Sequence, residues 1–112
     1  MAFKQQHEVF NLTKSFPKEE QYSLTSQIRR SSRSVCANLS EAFGKRRYSA
    51  HLISKLTDAD AENYETETWL DIAKDCEYVE EQDILKIRDL NTQIGKLIYY
   101  MIQNVSKFSH EG

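Results

Sequence analysis

Turn-forming residues are scarce: the chain has 112 residues, yet one proline and three glycines. A β-rich domain of that length needs many tight turns, so long elements with few joints are expected, and helices suit that pattern. Cysteine is also rare. Cys36 and Cys76 have no CxxC or Cys/His spacing, so they read as small apolar core residues in a reducing compartment. No apolar run approaches the roughly 20 residues of a membrane span. The opening MAFKQQHEVF has no continuous apolar run and is not a secretory signal, so the expected address is the cytoplasm.

Catalytic patterns are missing as well. The three histidines, His7, His51 and His110, are isolated, and no Glu-x-x-His supplies the ligands of a helical di-iron site. The glycines are too dispersed to cradle a phosphate, and there is no nucleophile elbow. The expectation is a protein that is not an enzyme and holds no cofactor and no metal.

What is present is helical periodicity. Four segments are predicted: about 3–15, 18–43, 49–77 and, after a short polar connection near 79–82, one whose apolar face runs from Ile84 to Phe108. Phe16-Pro17 divides the first two, because the residue before proline avoids helical torsions and proline suits a first helical position. The second segment carries Leu24, Ile28, Val35, Leu39 and Phe43 on one stripe, with Ser31 and Ser32 filling its gap. Small residues there allow another helix to approach closely. Gly44 follows as an expected left-handed stop. The third segment places Leu52, Leu56, Ala59, Asn63, Thr66, Leu70 and Ala73 on one stripe; the fourth places Ile84, Ile87, Ile94, Ile98, Met101, Val105 and Phe108 on another. Gly95 interrupts the fourth and predicts a close helix crossing. Length and pattern give an all-α, antiparallel up-down four-helix bundle, one domain over residues 1–112. Such slender helices leave apolar flank exposed, which a homo-oligomer would bury.

Charge is divided unevenly. Residues 1–56 hold ten Lys/Arg against four Asp/Glu, and residues 57–112 hold five against thirteen. The split can mean a basic binding surface, or halves that pair with one another. Arg29, Arg30 and Arg33 lie on a short arc of the second segment, with Lys45, Arg46 and Arg47 just beyond its end. Guanidinium groups fork onto phosphate, so these six are candidate nucleic-acid contacts. Arg29 and Arg30 could instead pair with Glu65, Glu67 or a neighbouring subunit. Gln27, Asn38 and Glu41 lie near the packing side and are expected to form an interhelix polar network that fixes register.

The stretch Phe16–Arg47 and the one that follows it also carry a family likeness. Phe16, Pro17, Glu20, Tyr22, Leu24, Gln27, Arg29, Arg30, Ser34, Val35, Asn38, Leu39, Glu41, Gly44 and Arg46 match a pattern that resembles the ribosomal RNA intervening-sequence proteins. Glu65-Thr66-Glu67-Thr68-Trp69-Leu70 fits that family's third-helix signature. Ala42 and Asp60-Ala61 depart from it, standing where glycine and a Gly-Ser-like pair are usual. The resemblance implies a four-helix bundle assembled as a ring-like homopentamer and does not imply an enzyme. A related branch, the accessory proteins of diversity-generating retroelements, binds nucleic acid and a reverse transcriptase. The reading is therefore a module that associates with RNA or DNA through a basic surface. The alternative is an adaptor whose partner is a protein, such as a reverse transcriptase.

Overall fold

The structure, a computed structural model, describes Met1 to His110. Its helices are α1 (Ala2–Thr13), α2 (Leu24–Gly44), α3 (Ser49–Asp75), α4 (Glu81–Gln103) and a final single turn, α5 (Val105–Phe108). Among the described residues there is no strand. Each long helix packs on its neighbour in sequence, and α1 also packs on α4, which closes the four into a bundle. Cross-helix pairs show the directions. Arg30 meets Glu65 while Glu41 meets Lys55, so α2 and α3 run antiparallel. Asn63 meets Asn91 while Glu67 meets Arg88, and Gln5 meets Asn91 while Glu8 meets Lys86, so α4 runs against both α3 and α1. The bundle measures 51 × 24 × 18 Å.

The third stripe is buried as its spacing predicts, from Leu52 through Ala73. The second is not buried throughout. Pro17 opens only a 3-10 turn, Lys18–Glu20, and α2 begins later, at Leu24. Towards its C-terminus the packed residue is Ala42, while Leu39 is half-buried and Phe43 is exposed. The fourth segment breaks at Asn104, so Val105 and Phe108 belong to α5 and are half-buried.

Both glycine readings need correction. Gly44 is the last residue of α2 and has no positive φ; the following residue, Lys45, donates its backbone N–H to Glu41 and Ala42. The left-handed helix cap lies at Glu77, with φ 63°. There Glu77 N–H bonds the Lys74 carbonyl and Tyr78 N–H bonds the Ala73 carbonyl, a Schellman ending on a non-glycine residue. At Gly95 a Cβ would sit 3.7 Å from Asn63 Nδ2, an ordinary contact, so no tight crossing demands glycine there. The cysteines also depart from expectation: Cys36 is half-buried and Cys76 is exposed at the end of α3.

The core has two apolar lobes. One gathers Val9, Phe16, Leu24, Ile28, Leu70, Ala73, Ile84 and Ile87. The other gathers Val35, Ala42, Leu52, Leu56, Ala59, Ile94, Ile98 and Met101. Between them runs a buried polar belt of Gln5, Ser31, Ser32, Asn63, Thr66 and Asn91. Buried polar groups are costly unless they bond; here Gln5, Ser31, Asn63, Thr66 and Asn91 bond across helices, while Ser32 donates to the Arg29 carbonyl of its own helix. Gln5 Nε2 donates to Asn63 Oδ1 at 2.8 Å and to Asn91 Oδ1 at 2.6 Å. Asn63 Nδ2 donates to the Asn91 carbonyl, and Ser31 and Thr66 hydroxyls bond at 2.8 Å.

Candidate nucleic-acid interface

The belt is the interhelix polar network, and it lies elsewhere than Gln27, Asn38 and Glu41. Gln27 is exposed and its side-chain oxygen accepts from Arg30 Nε at 3.1 Å. Asn38 donates back to the Ser34 carbonyl of its own helix. Glu41 is exposed and reaches Lys55 on α3 at 2.7 Å, which lowers its pKa through that hydrogen bond and charge. The three therefore serve separate surface contacts. The belt was visible in part: Asn63 and Thr66 occupy stripe positions where apolar residues are usual, and Ser31 and Ser32 fill the gap in the second stripe. Gln5 gave no such signal.

The six basic candidates divide by their partners. Arg30 is committed to carboxylates. Its Nη1 lies 3.1 Å from Glu62 Oε2 and its Nη2 bonds Glu65. The Glu65 hydrogen bond raises its pKa against a smaller desolvation effect. Arg88, which the sequence reading did not single out, is likewise claimed: Glu67 and Asp71 bind its terminal nitrogens. Its Nε lies 2.8 Å from Glu81 Oε1, too bent for a hydrogen bond but within ion-pair reach. Desolvation opposes its charge, and the three carboxylates outweigh it, so its pKa is raised.

Arg29, Arg33, Lys45, Arg46 and Arg47 have no carboxylate within 4 Å among the described residues. They occupy two places. Arg33 and Lys45 are twelve residues apart on or just past α2, roughly 18 Å along the helix axis. Lys45, Arg46 and Arg47 form the exposed α2–α3 turn, where Arg47 lies over the Tyr48 ring at 5.7 Å. The C-terminal end of α2 suits cations there, because its last carbonyls are partly negative.

Arg29 and Arg33 instead face α1. Phe10 presents its ring to three cations: Lys14 Nζ at 4.9 Å, Arg29 Cζ at 4.6 Å and Arg33 Cζ at 5.9 Å from the centroid. The negative face of an aromatic ring attracts cations within about 6 Å. Arg29 is half-buried, and its Nε donates to Thr13 Oγ1 at 2.7 Å. That leaves its forked terminal nitrogens unclaimed by a carboxylate. Sequence reasoning missed Lys14 and Phe10 here, because they come from a separate helix. Beside this cluster a shallow groove of about 610 Å³ follows α2, lined among others by Tyr22, Ser26, Arg29, Arg33 and Ser34.

A second groove, of about 560 Å³, lies between α3 and α4. Asn63 and Asn91 line it with Asp60, Glu67, Lys96 and two largely exposed tyrosines, Tyr64 and Tyr99. Desolvation raises the Asp60 pKa. Its carboxylates make it a poor place for phosphate.

The histidines stay apart in the fold. His7 shares a hydrogen bond with Asn11, His51 meets Tyr48 edge-on, and the His110 backbone bonds the Arg46 carbonyl. Among the described residues no group of three or more His, Cys, Asp or Glu side chains is placed to hold a metal ion. Nor is any helix long and apolar enough to cross a membrane.

Fold and surface together define a small antiparallel helical bundle with a basic α2 face and turn. The chain belongs to the family described as 23S rRNA-intervening sequence protein, which matches residues 1–100. A crystal structure from Bacteroides thetaiotaomicron, titled as a protein with unknown function from the S23 ribosomal protein family, is similar at 30% identity with a TM-score of 0.82. The similarity covers 90% of this chain and 94% of that one. No curated protein matches.

Proposed function

We propose that this chain is a non-enzymatic module that associates with nucleic acid through the basic residues of α2 and the α2–α3 turn. The observation that carries this reading is that, among the described residues, Arg29, Arg33, Lys45, Arg46 and Arg47 have no carboxylate within ion-pair distance. If the two halves merely neutralised each other, the basic half should be spent on the acidic half. Instead, among the described residues, Arg30 and Lys55 are its cations that reach carboxylates of the acidic half, while Glu67, Asp71 and Glu81 engage Lys74 and Arg88 of their own half. Lys14, Arg29 and Arg33 crowd one ring, and Lys45–Arg47 project from a turn. Like charges held together repel, and a phosphate backbone relieves that repulsion. Assembly as a homopentamer, as the family resemblance implies, would repeat the surface and raise avidity. The exposed Tyr64 and Tyr99 beside the α3–α4 groove favour a second reading, in which that face binds a protein: another copy, or an enzyme such as a reverse transcriptase.

The test is binding of labelled structured RNA and duplex DNA across a salt series, with the triple variant Lys45→Glu/Arg46→Glu/Arg47→Glu alongside. Each phosphate contact contributes about 0.9 to the slope of log affinity against log salt on duplex. The variant should therefore flatten that slope by roughly 2–3 and weaken binding, with its light-scattering mass unchanged. Absence of binding near physiological salt would overturn the proposal and leave the protein-binding reading.

A further inference from the structure

The groove along α2 carries more than charge. Tyr22 stands at one end of it, before the helix begins, and its side chain is almost free of contacts: the residue is 89% exposed. An aromatic ring gains nothing from standing in water, and burial of a tyrosine is strongly favourable. The ring has no structural task in the chain that would explain its position. Beside it, Arg29 and Arg33 lie one helical turn apart, roughly 6 Å. Phe10 and Thr13 hold Arg29 from behind, so its guanidinium is oriented before any ligand arrives. Ser26 and Ser34 edge the same groove with hydroxyls.

These parts match the physics of single-strand recognition. Cations follow the backbone, and an aromatic face stacks a base that is not paired and stacked within a duplex. A duplex keeps its bases inside and offers Tyr22 nothing to stack on. The hydroxyls at the edge can both donate to and accept from a ribose 2′-OH, which DNA lacks.

We propose that the α2 groove binds a single strand of RNA, with a base stacked on Tyr22, phosphate on Arg29 and Arg33, and ribose hydroxyls towards Ser26 and Ser34. This rests on the nucleic-acid reading above but assigns it a strand type and a place distinct from the α2–α3 turn. Arg30 also lines the groove but is excluded from the phosphate set because Glu62 and Glu65 hold it.

Fluorescence anisotropy tests this with three labelled probes: oligouridine of about twelve nucleotides, oligothymidine of the same length, and an RNA duplex. The intact chain should bind oligouridine most tightly. Tyr22→Ala should weaken oligouridine binding roughly tenfold, within the range that loss of one base stack produces, and leave duplex binding unchanged. Tyr22→Trp should retain it. Because Tyr22 is so exposed, both variants should keep the wild-type thermal unfolding midpoint, so a binding loss cannot be ascribed to unfolding. Equal oligouridine binding by wild type and Tyr22→Ala would overturn the inference, as would duplex or oligothymidine binding as tight as oligouridine. If duplex binding persists and responds to the triple charge reversal at the turn, the broader nucleic-acid reading stands without this groove. No binding of any probe would overturn both.

Discussion

Replacing Gln5 by leucine asks how much the polar belt contributes to joining α1 to the bundle. Gln5 is fully buried, and its amide nitrogen serves two acceptors, Asn63 Oδ1 on α3 and Asn91 Oδ1 on α4. The amide orientations are mutually consistent. Both asparagine oxygens accept from Gln5, while Asn63 Nδ2 donates to the Asn91 carbonyl and Asn91 Nδ2 donates to Glu67. Leucine has similar bulk and no donor, so it would strand two buried oxygens, each costing about 1–3 kcal/mol. One term runs the other way. Gln5 Oε1 is buried without a partner, so removing it recovers about 1–3 kcal/mol. The net expectation is a loss of about 2 kcal/mol, equivalent to roughly 10 °C in the unfolding midpoint of a domain near this size. Urea and thermal unfolding followed by circular dichroism would measure it, at one fixed protein concentration because assembly shifts apparent stability. A second variant isolates the coupling. Adding Asn63→Leu removes one stranded oxygen, so the double variant should be less destabilised than the two single effects summed. A Gln5→Leu protein within about 0.5 kcal/mol of wild type would refute the claim that these bonds fix α1.

Two further outcomes follow from the joints. Tyr78 donates to Glu20 at 2.7 Å, and that bond, with desolvation behind it, pushes the Tyr78 pKa up to about 12, while Ser23 and Tyr78 lower that of Glu20. A raised tyrosine pKa stabilises the fold fully below the unfolded value of about 10 and is lost as pH rises towards 12; a lowered Glu pKa stabilises above about pH 4.5 and is lost in acid. Urea midpoints of Tyr78→Phe should therefore fall less steeply than wild type in both windows, and superimposable pH profiles would refute the latch. Glu77 holds φ 63° at the end of α3, a left-handed conformation that glycine adopts more readily than a residue with a Cβ. Glu77→Gly should raise stability by up to about 1 kcal/mol by denaturant unfolding, and a loss would show that the carboxylate makes a contact worth more than the relieved strain.

Much of the bundle was legible along the chain. The α3 stripe from Leu52 to Ala73 repeats at helical spacing along most of a 27-residue helix, so one face had to be buried whichever helix covered it. Phe16-Pro17 marked the break between α1 and α2, although proline opened only a 3-10 turn. The six cations could be named for the same reason: composition is local. Their grouping could not. Arg29 and Arg30 are adjacent in sequence, yet one helical step turns Arg29 towards Phe10 on α1 and Arg30 towards Glu62 and Glu65 on α3.

The amino-acid sequence by itself determined the helical class, the antiparallel order that short joints impose and the surplus of positive charge in the first half, because periodicity and charge are properties of neighbouring residues. Only the tertiary structure decided which cations carboxylates neutralise, that Lys14 joins Arg29 and Arg33 around one ring, and that Gln5 rather than Gln27 enters the buried network. Each of those depends on which faces of separate helices meet. Hydrogen bonds and ion pairs act over about 3–4 Å, so a small rotation or axial slide of a helix that still leaves its apolar stripe on the core reassigns those partners.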